Sequence, residues 1–446
     1  MLSRGAPTSS QSERAVVPAV TRSGGVSGRG RPHTLYVSYD GILEPLGESQ
    51  VLGYLERLAG SYAMTLMTFE KARDLLDEDR VRAVRRRLGT RGIRWICLRY
   101  HRRPPIVSTA LDIARGIWSG WQALHGGAQL IHARGYVPGL IALVLARLSK
   151  AAFLFDMRGF WADEKVDGGH WSSASRIYGV TKYFERRFFE SAQAIVSLTY
   201  EGVKSFPELG YRIPAGTPIE VIPTCTDLDR FRPGPKDDLM MARLGLTGHR
   251  VIGVSGTISN WYLRQPMLEC LAYLVKTLDR TKLLIVTRDD HDRLRADARA
   301  AGVPDGSMTV TSAEYERMPE FLRLMDVGLF FIKVCFSKKG SCATKLGEFL
   351  ATGVPVVINE GIGDSDRIVR DHATGVVLPE ATVAAMRQHL PALLELFADS
   401  ETQARCRTVA RAELDVVEGS RKYGRLYERV LQAQSVSRNA AEVEAR

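Results

Sequence analysis

Thr34-Leu-Tyr-Val-Ser38 is a short uncharged run, mostly apolar, that reads as a buried strand. A loop from Tyr39 to Glu48 follows and carries Gly41 and Gly47. Ser49 is then the expected N-cap of a helix with Val51, Leu52, Leu55 and Leu58 on one face. Ala63–Thr68 is the next strand. A strand, a helix and a second strand in this order make a crossover unit of a parallel sheet. Working outward, Leu130–His132, Ala152–Phe155 and Ala194–Leu198 read as further strands with helical patterns between them. The rhythm restarts after the loop Pro233-Gly-Pro-Lys-Asp-Asp238, with strands at Val251–Ser255, Lys282–Thr287, Met308–Thr311, Val327–Ile332 and Pro355–Asn359. The expected fold is therefore α/β, with two doubly wound, Rossmann-like domains facing across a cleft. The expected boundaries are a disordered basic tail over 1–32, a first domain over 33–232, a second over 233–415, and a C-terminal helix over 416–446 that packs back toward the first domain. Ligands of such sheets bind outside the carboxyl ends of the strands, which here means the cleft.

The chain has 446 residues, 45% hydrophobic and 25% charged, a size that favours two cores over one. This make-up excludes a largely disordered chain and a disulfide scaffold. The longest apolar run, Val137 to Ala146, is far short of the ~20 residues that span a bilayer. Six cysteines are scattered without a Cys-x-x-Cys pair, so a reducing, cytoplasmic setting is expected. The net charge of +11 is concentrated in two places. The first 32 residues hold five Arg and one Glu, a composition shared with organellar transit peptides. Arg80 to Arg103 holds ten Arg and no acid. Val81, Val84 and Leu88 suggest a helix there that stops at Gly89. The apolar stretch Ile106–Trp121 comes next, with Trp118 and Trp121. Two explanations stand: a surface that meets an anionic leaflet, lipid-linked phosphate or nucleic acid, or a solvated Arg-rich face over a core helix.

Ser341-Cys-Ala-Thr344-Lys345-Leu-Gly-Glu348-Phe-Leu-Ala-Thr-Gly353-Val-Pro355 carries the chemistry. Thr344 is the expected N-cap of a short helix with Leu346, Phe349 and Leu350 inward. The start of such a helix offers free N–H groups and the positive end of its dipole to a phosphate. Lys345 adds a charge there, and Glu348 stands one turn on, within reach of ribose hydroxyls. Read by spacing alone, the same residues also make an ordinary helix with a surface Lys–Glu pair. In the first half, His132 and Arg134 end a strand at its carboxyl edge, and Asp156 and Arg158 end another. His132 is either a candidate for orienting an acceptor hydroxyl or a satisfied loop His, and Asp156 either polarises that hydroxyl or forms a structural ion pair with Arg158.

The pattern Thr-Lys-x-x-Glu-x-x-Ala-x-Gly-x-Pro-Val-Val at 344–357 resembles the nucleotide-sugar segment of the GT-B-fold glycosyltransferases, specifically retaining family 4. The stretches 37–52, 155–163, 221–227, 253–262 and 318–329 resemble other parts of that family in the same order. The resemblance implies that a sugar moves from a nucleotide-sugar donor to the hydroxyl of a glycan, lipid-linked or small-molecule acceptor, with retention and without metal. No cofactor is implied, since the nucleotide sugar is a substrate, and no nucleic acid is expected. It places the donor at Gly256, Thr257, Asn260, Trp261, Tyr262, Arg288, Ser341, Thr344, Lys345 and Glu348. It places the acceptor near Gly41, Gly47, Gln50 and Arg134, with Lys345, Asp156, Arg158 and His132 as the catalytic set. Three positions depart from the family pattern: Gly340 stands where the first Glu of its Glu-x7-Glu motif is expected, Thr257 where Arg is common, and Arg158 where a His is expected. Arg264 is a local candidate for the missing phosphate contact, and Lys338, Lys339 and Ser341 are candidates to replace the missing Glu. Asp364-Ser-Asp366 imitates a metal-binding Asp-x-Asp, but no metal is expected there or at Asp289-Asp290. The basic stretch adds an expected peripheral attachment to the inner face of a membrane. The alternatives are a nucleotide-sugar 2-epimerase of the same fold and a non-catalytic basic protein that binds nucleic acid or membrane.

Overall fold

The computed structural model describes residues 30–44 and 47–444. The tail expected over 1–32 lies almost wholly outside them. Seven strands form a first parallel sheet: β1 (His33–Ser38), β2 (Ala63–Glu70), β3 (Ile93–Arg99), β4 (Leu130–Arg134), β5 (Ala152–Asp156), β6 (Ala194–Ser197) and β7 (Ile219–Val221), in the order β3-β2-β1-β4-β5-β6-β7. Six more form a second: β8 (Arg250–Ser255), β9 (Thr281–Val286), β10 (Met308–Thr311), β11 (Val327–Leu329), β12 (Val356–Asn359) and β13 (Gly375–Leu378), in the order β10-β9-β8-β11-β12-β13. The direction of winding reverses between β1 and β4 in one sheet and between β8 and β11 in the other. The loops after these strands part there, and each opens a crevice at the carboxyl edge. The architecture is the doubly wound pair expected from the sequence.

Both faces of each sheet are covered. In the first, Phe153 and Phe155 pack with Ile141, Phe188 and Phe189 on one side. Tyr36, Leu66 and Leu154 pack on the other with Leu52, Leu55 and the last helix, Val416–Glu444. That helix returns to the first lobe through Tyr423, Leu426, Tyr427 and Val430. The crossing is tied where Thr226 N–H donates to Leu414 O (2.7 Å) and Val416 N–H to Thr226 O (3.1 Å).

The Arg-rich stretch contains an element that the sequence pattern hid. Only Glu78–Thr90 is helical, and the helix runs on through Gly89. Beyond it lies β3, an edge strand with Arg94 and Arg99 exposed. Charged side chains on an edge strand discourage pairing with another chain. Part of the charge is also spent internally: Arg87 pairs with Glu48 (2.8 Å) and Glu56 (2.5 Å), and Arg82 with Glu78 (3.0 Å) and Asp79 (2.7 Å).

Gly328 in β11 sets where the second lobe's short helix Thr344–Ala351 can lie. A Cβ there would meet the Phe349 ring at 2.6 Å. Gly328→Ala is expected to displace that helix and to cost about 1–3 kcal/mol of overpacking. Thermal unfolding should show a lowered midpoint. The control Gly89→Ala, with nothing within 4 Å, should leave it unchanged or raise it.

Candidate active site

The two sheets turn their carboxyl edges toward one cavity of about 590 Å³. From the first lobe it is lined by Tyr39, Asp40, Gln50, Arg134, Arg158 and Glu164, and from the second by Ser341, Cys342 and Thr344. Arg134 ends β4 and holds Asp40 at 2.6 Å. Arg158 follows β5 with φ +54, a left-handed turn shared with Gly159 at φ +105. Its guanidinium donates to Gln50 Oε1 at 3.4 Å, and Gln50 in turn donates to Cys225 O at 3.2 Å. Below Arg158 sits Asp156, fully buried. Burial alone would push its carboxyl up, but Arg158, the bond from His132 and the charge of Arg134 hold it below the usual carboxylate range. Tyr423 of the last helix donates to Asp156 Oδ2 at 2.8 Å.

The second lobe contributes a buried ammonium. Lys345 stands in the first turn of Thr344–Ala351. Its Nζ donates to Thr257 O at 3.0 Å and lies 3.6 Å from the centre of the Tyr262 ring. Gly256, at φ +71, lets the turn after β8 pass beside it; a Cβ there would lie 3.8 Å from Nζ. Burial pushes Lys345 down to about 7, against the opposing charges of Glu348 and Asp289. Burial likewise pushes Glu348 up to about 7, against the charge of Lys345. The N-cap of this helix is Ala343, not Thr344, and no side chain caps it. Its first N–H groups are therefore left without a side-chain acceptor at the cavity wall. A second cavity of about 260 Å³ adjoins, lined by Gly256, Thr257, Arg288, Ala313, Tyr315 and Met318 among others.

The family findings agree with this geometry. Residues 249–396 match the family described as glycosyl transferases group 1, and residues 48–225 match the glycosyl transferase 4-like domain. The chain belongs to the GT-B glycosyltransferases. Solved structures share its fold at low identity. A glycosyltransferase from Rickettsia africae superposes with a TM-score of 0.68 at 13% identity, covering 90% of this chain and 99% of that one. Sucrose-phosphate synthase from Thermosynechococcus elongatus gives 0.65 at 15%, covering 90% and 100%. Anabaena HepE, in complex with UDP and glucose, gives 0.64 at 13%, covering 89% and 99%. No curated protein matches the chain by sequence. A non-catalytic basic protein is thereby set aside.

Not every expected site residue of this glycosyltransferase reaches the cavity. His132 is fully buried with its Nδ1 2.6 Å from Tyr427 Oη and its Nε2 3.4 Å from Asp156. Burial pushes its pKa down despite the nearby Asp156, so it is a neutral packing partner of the last helix. Asp156 does not line the cavity either, and only its charge reaches Arg158, which does. Gly41 and Gly47 shape the loop after β1: a Cβ on Gly41 would strike Glu70 and one on Gly47 would strike Gly41 O. Buried Glu70 accepts from the N–H groups of Ile42 (2.9 Å) and Leu43 (3.2 Å). Ser49 is not a cap, because Glu48 N–H already donates to Glu44 O and the helix begins before it.

On the second lobe, Arg264 turns away to Asp297 (2.7 Å), so it offers no phosphate contact. Arg288 pairs with Glu314 (2.6 Å) at the rim of the smaller cavity. Asn260 makes a left-handed turn at φ +61 that leads into Trp261 and Tyr262. Asp364 accepts from the N–H groups of Tyr200 (2.8 Å) and Glu201 (3.0 Å) of the opposite lobe, and Asp366 from Gly361 N–H (3.2 Å). Asp289 holds Thr257 and the N–H of Ile258. Glu164 and Tyr136, both at the cavity wall, carry no local sequence signal. Their placement comes from contacts with residues far along the chain.

The depressed pKa of Lys345 has a consequence for binding. A diphosphate placed beside Lys345 would pair with the charged ammonium, and that charge is lost as pH rises through about 7. Affinity for a nucleotide sugar, whose diphosphate does not itself titrate in this range, should therefore weaken as pH rises above 7. Calorimetry from pH 6 to 9 should show a steeper slope in the wild type than in Lys345→Met, where Glu348 alone is left to titrate. Identical profiles would place the diphosphate elsewhere.

Proposed function

We propose that this enzyme moves a sugar from a nucleotide-sugar donor to an acceptor hydroxyl, with retention and without metal. The observation that carries the proposal is the buried Lys345 ammonium at an uncapped helix start, next in sequence to Thr344 of the larger cavity and bonded to Thr257 of the smaller one. As the glycosidic bond breaks, negative charge gathers on the departing nucleoside diphosphate. Fixed positive charge and N–H donors aimed at that place stabilise the transition state. Lys345 and the first N–H groups, those of 344 and 345, supply these from one lobe, and the Arg158 guanidinium adds charge from the other. The nucleoside occupies the smaller cavity, with the base against Ala313, Tyr315 and Met318. Glu348, close enough to Tyr315 and Tyr262 to influence both, takes the ribose. The acceptor enters from the Gln50–Arg134 side. Its oxygen forms the new bond to the anomeric carbon as the phosphate oxygen leaves on the same face. The acceptor proton passes to that phosphate oxygen, so no enzyme nucleophile is used.

The acceptor side has a further feature. The helix Pro105–His125 buries Ile113, Ile117 and Trp121 partly against the core, yet leaves Ile106 73% and Trp118 67% exposed, with Val107 and Leu111 exposed beside them. Ile106–Trp121 is thus a core helix on one face only. Exposed Arg102 and Arg103 precede it, and Thr109 in its first turns lines the cavity. Among the described residues no helix is long and apolar enough to cross a membrane. This face fits reversible docking on the anionic, cytoplasmic surface of a membrane, where a lipid-linked acceptor would lie. Each Arg near such a surface contributes about 1 kcal/mol.

Lys345→Ala should lower turnover on the order of 10²-fold, while Glu348→Ala should first weaken nucleotide binding. A screen of nucleotide sugars for slow hydrolysis and transfer tests both; full activity of Lys345→Ala would remove the proposed role. For the membrane, co-sedimentation should favour anionic over neutral vesicles and weaken with salt and in Trp118→Glu. Equal or absent partitioning would point to a soluble acceptor.

A further inference from the structure

The position where the family resemblance expects a carboxylate, 340, is a glycine packed closely against the other lobe. The segment Phe336–Gly340 of the second lobe is seated in the first lobe. A Cβ on Gly340 would lie 3.0 Å from the Phe160 ring and 3.3 Å from the Gly159 Cα. Phe336 and Phe160 pack at 5.1 Å. Thr199 Oγ1 donates to Lys339 O at 2.6 Å, and Ser337 N–H donates to Asp167 Oδ2 at 2.9 Å. A side chain at 340 would need the Phe160 ring and the Gly159 backbone to give by a few tenths of an ångström.

The cavity nonetheless holds a carboxylate beside the donor segment. Glu164, on the first-lobe helix Trp161–Asp167, lines it together with Ser341 and Thr344. Its Oε1 accepts from Lys338 Nζ at 2.8 Å. Lys338 is buried, and its ammonium lies 3.7 Å from the centre of the Trp261 ring. The only other carboxylate lining the cavity, among the described residues, is Asp40, which Arg134 holds on the far side. Glu164 is thus anchored through one oxygen by a buried cation, at the seam where donor and acceptor meet. Its helix is itself fixed to the seam by Asp167, whose carbonyl also accepts from Lys333 Nζ at 2.9 Å.

We propose that Glu164 reads hydroxyls of the transferred sugar from the opposite lobe, with Lys338 as its positioning residue. The inference rests on the glycosyl-transfer function above. A carboxylate accepting two sugar hydroxyls also explains why a charged pair is kept at this seam, where an apolar pair would pack as well. Because the carboxylate and the diphosphate site belong to different lobes, sugar recognition requires the lobes to be together, as they are here.

The test uses UDP, GDP and ADP with their glucose conjugates and the corresponding monodeoxy-glucose donors. For the nucleotide that binds, Glu164→Gln should leave the nucleoside diphosphate Kd within about twofold, which also reports a folded donor site. It should raise KM for the nucleotide sugar on the order of tenfold or more, the usual weight of a hydrogen bond to a charged group. Discrimination between the sugar and one deoxy analogue should collapse in Glu164→Gln and in Lys338→Met alike; a purely structural pair would not change that ratio. Equal weakening of nucleoside diphosphate and nucleotide sugar would make Glu164 a lobe latch only and overturn the proposal, as would unchanged discrimination. No nucleotide binding by the wild type would instead overturn the transfer function, and the inference with it.

Discussion

A lysine ammonium held between a carbonyl oxygen and an aromatic ring is costly in the absence of an anion. Lys345 has one hydrogen-bond acceptor, Thr257 O, for three N–H donors, with the Tyr262 ring close by and the Phe330 ring farther off. Taking such a cation out of water without full compensation costs several kcal/mol, which is why burial depresses its pKa. Much of the second lobe is arranged around it. The glycine turn after β8 makes room for it, Asn260 turns the chain so that Tyr262 can cover it, and Gly328 lets Phe349 seat its helix. In the proposed function a diphosphate adds to the counter-charge of Glu348 and Asp289, so the cost of burying the ammonium becomes affinity and, as the leaving group develops charge, rate.

The first lobe answers with a second, half-buried cation, Arg158, whose position depends on residues distant in the chain. Asp156 lies beneath it, held by Tyr423 and His132, and His132 is held by Tyr427. The last helix therefore belongs to the active site without entering it. The lobes meet through short loops: Gly159 and Phe160 against Gly340, Asp364 on the start of the helix Tyr200–Lys204, and Lys338 on Glu164. These contacts are mostly polar, which suits two lobes that part and close around substrates.

Much of this was legible in the sequence. Apolar runs separated by helical patterns located most strands of both sheets, because strands buried on both faces carry few charges. β3 escaped because it is an edge strand, and Arg94 and Arg99 disguise it as part of a basic patch. Lys345 and Glu348 could be singled out from one short segment, since helix start, charge and spacing all lie within a few residues. Glu164 could not. Its partner Lys338 is remote in the chain, and no local pattern announces a carboxylate delivered by the opposite lobe. His132 failed for the converse reason: its place at a strand's carboxyl end suggested a catalytic role, but Tyr427, from a helix nearly three hundred residues on, covers it.

The central claim is that the pyrophosphate of the donor lies on Lys345 and the start of the helix Thr344–Ala351. A crystal structure with a bound nucleotide sugar or nucleoside diphosphate tests it most directly. The account predicts phosphate oxygens within hydrogen-bond distance of Lys345 Nζ and of the backbone N–H groups of 344 and 345, with the base between Ala313 and Met318. A nucleotide bound instead in the cavity of about 510 Å³ at the opposite edge of the first sheet, among Lys150, Gly216 and Arg429, would contradict it.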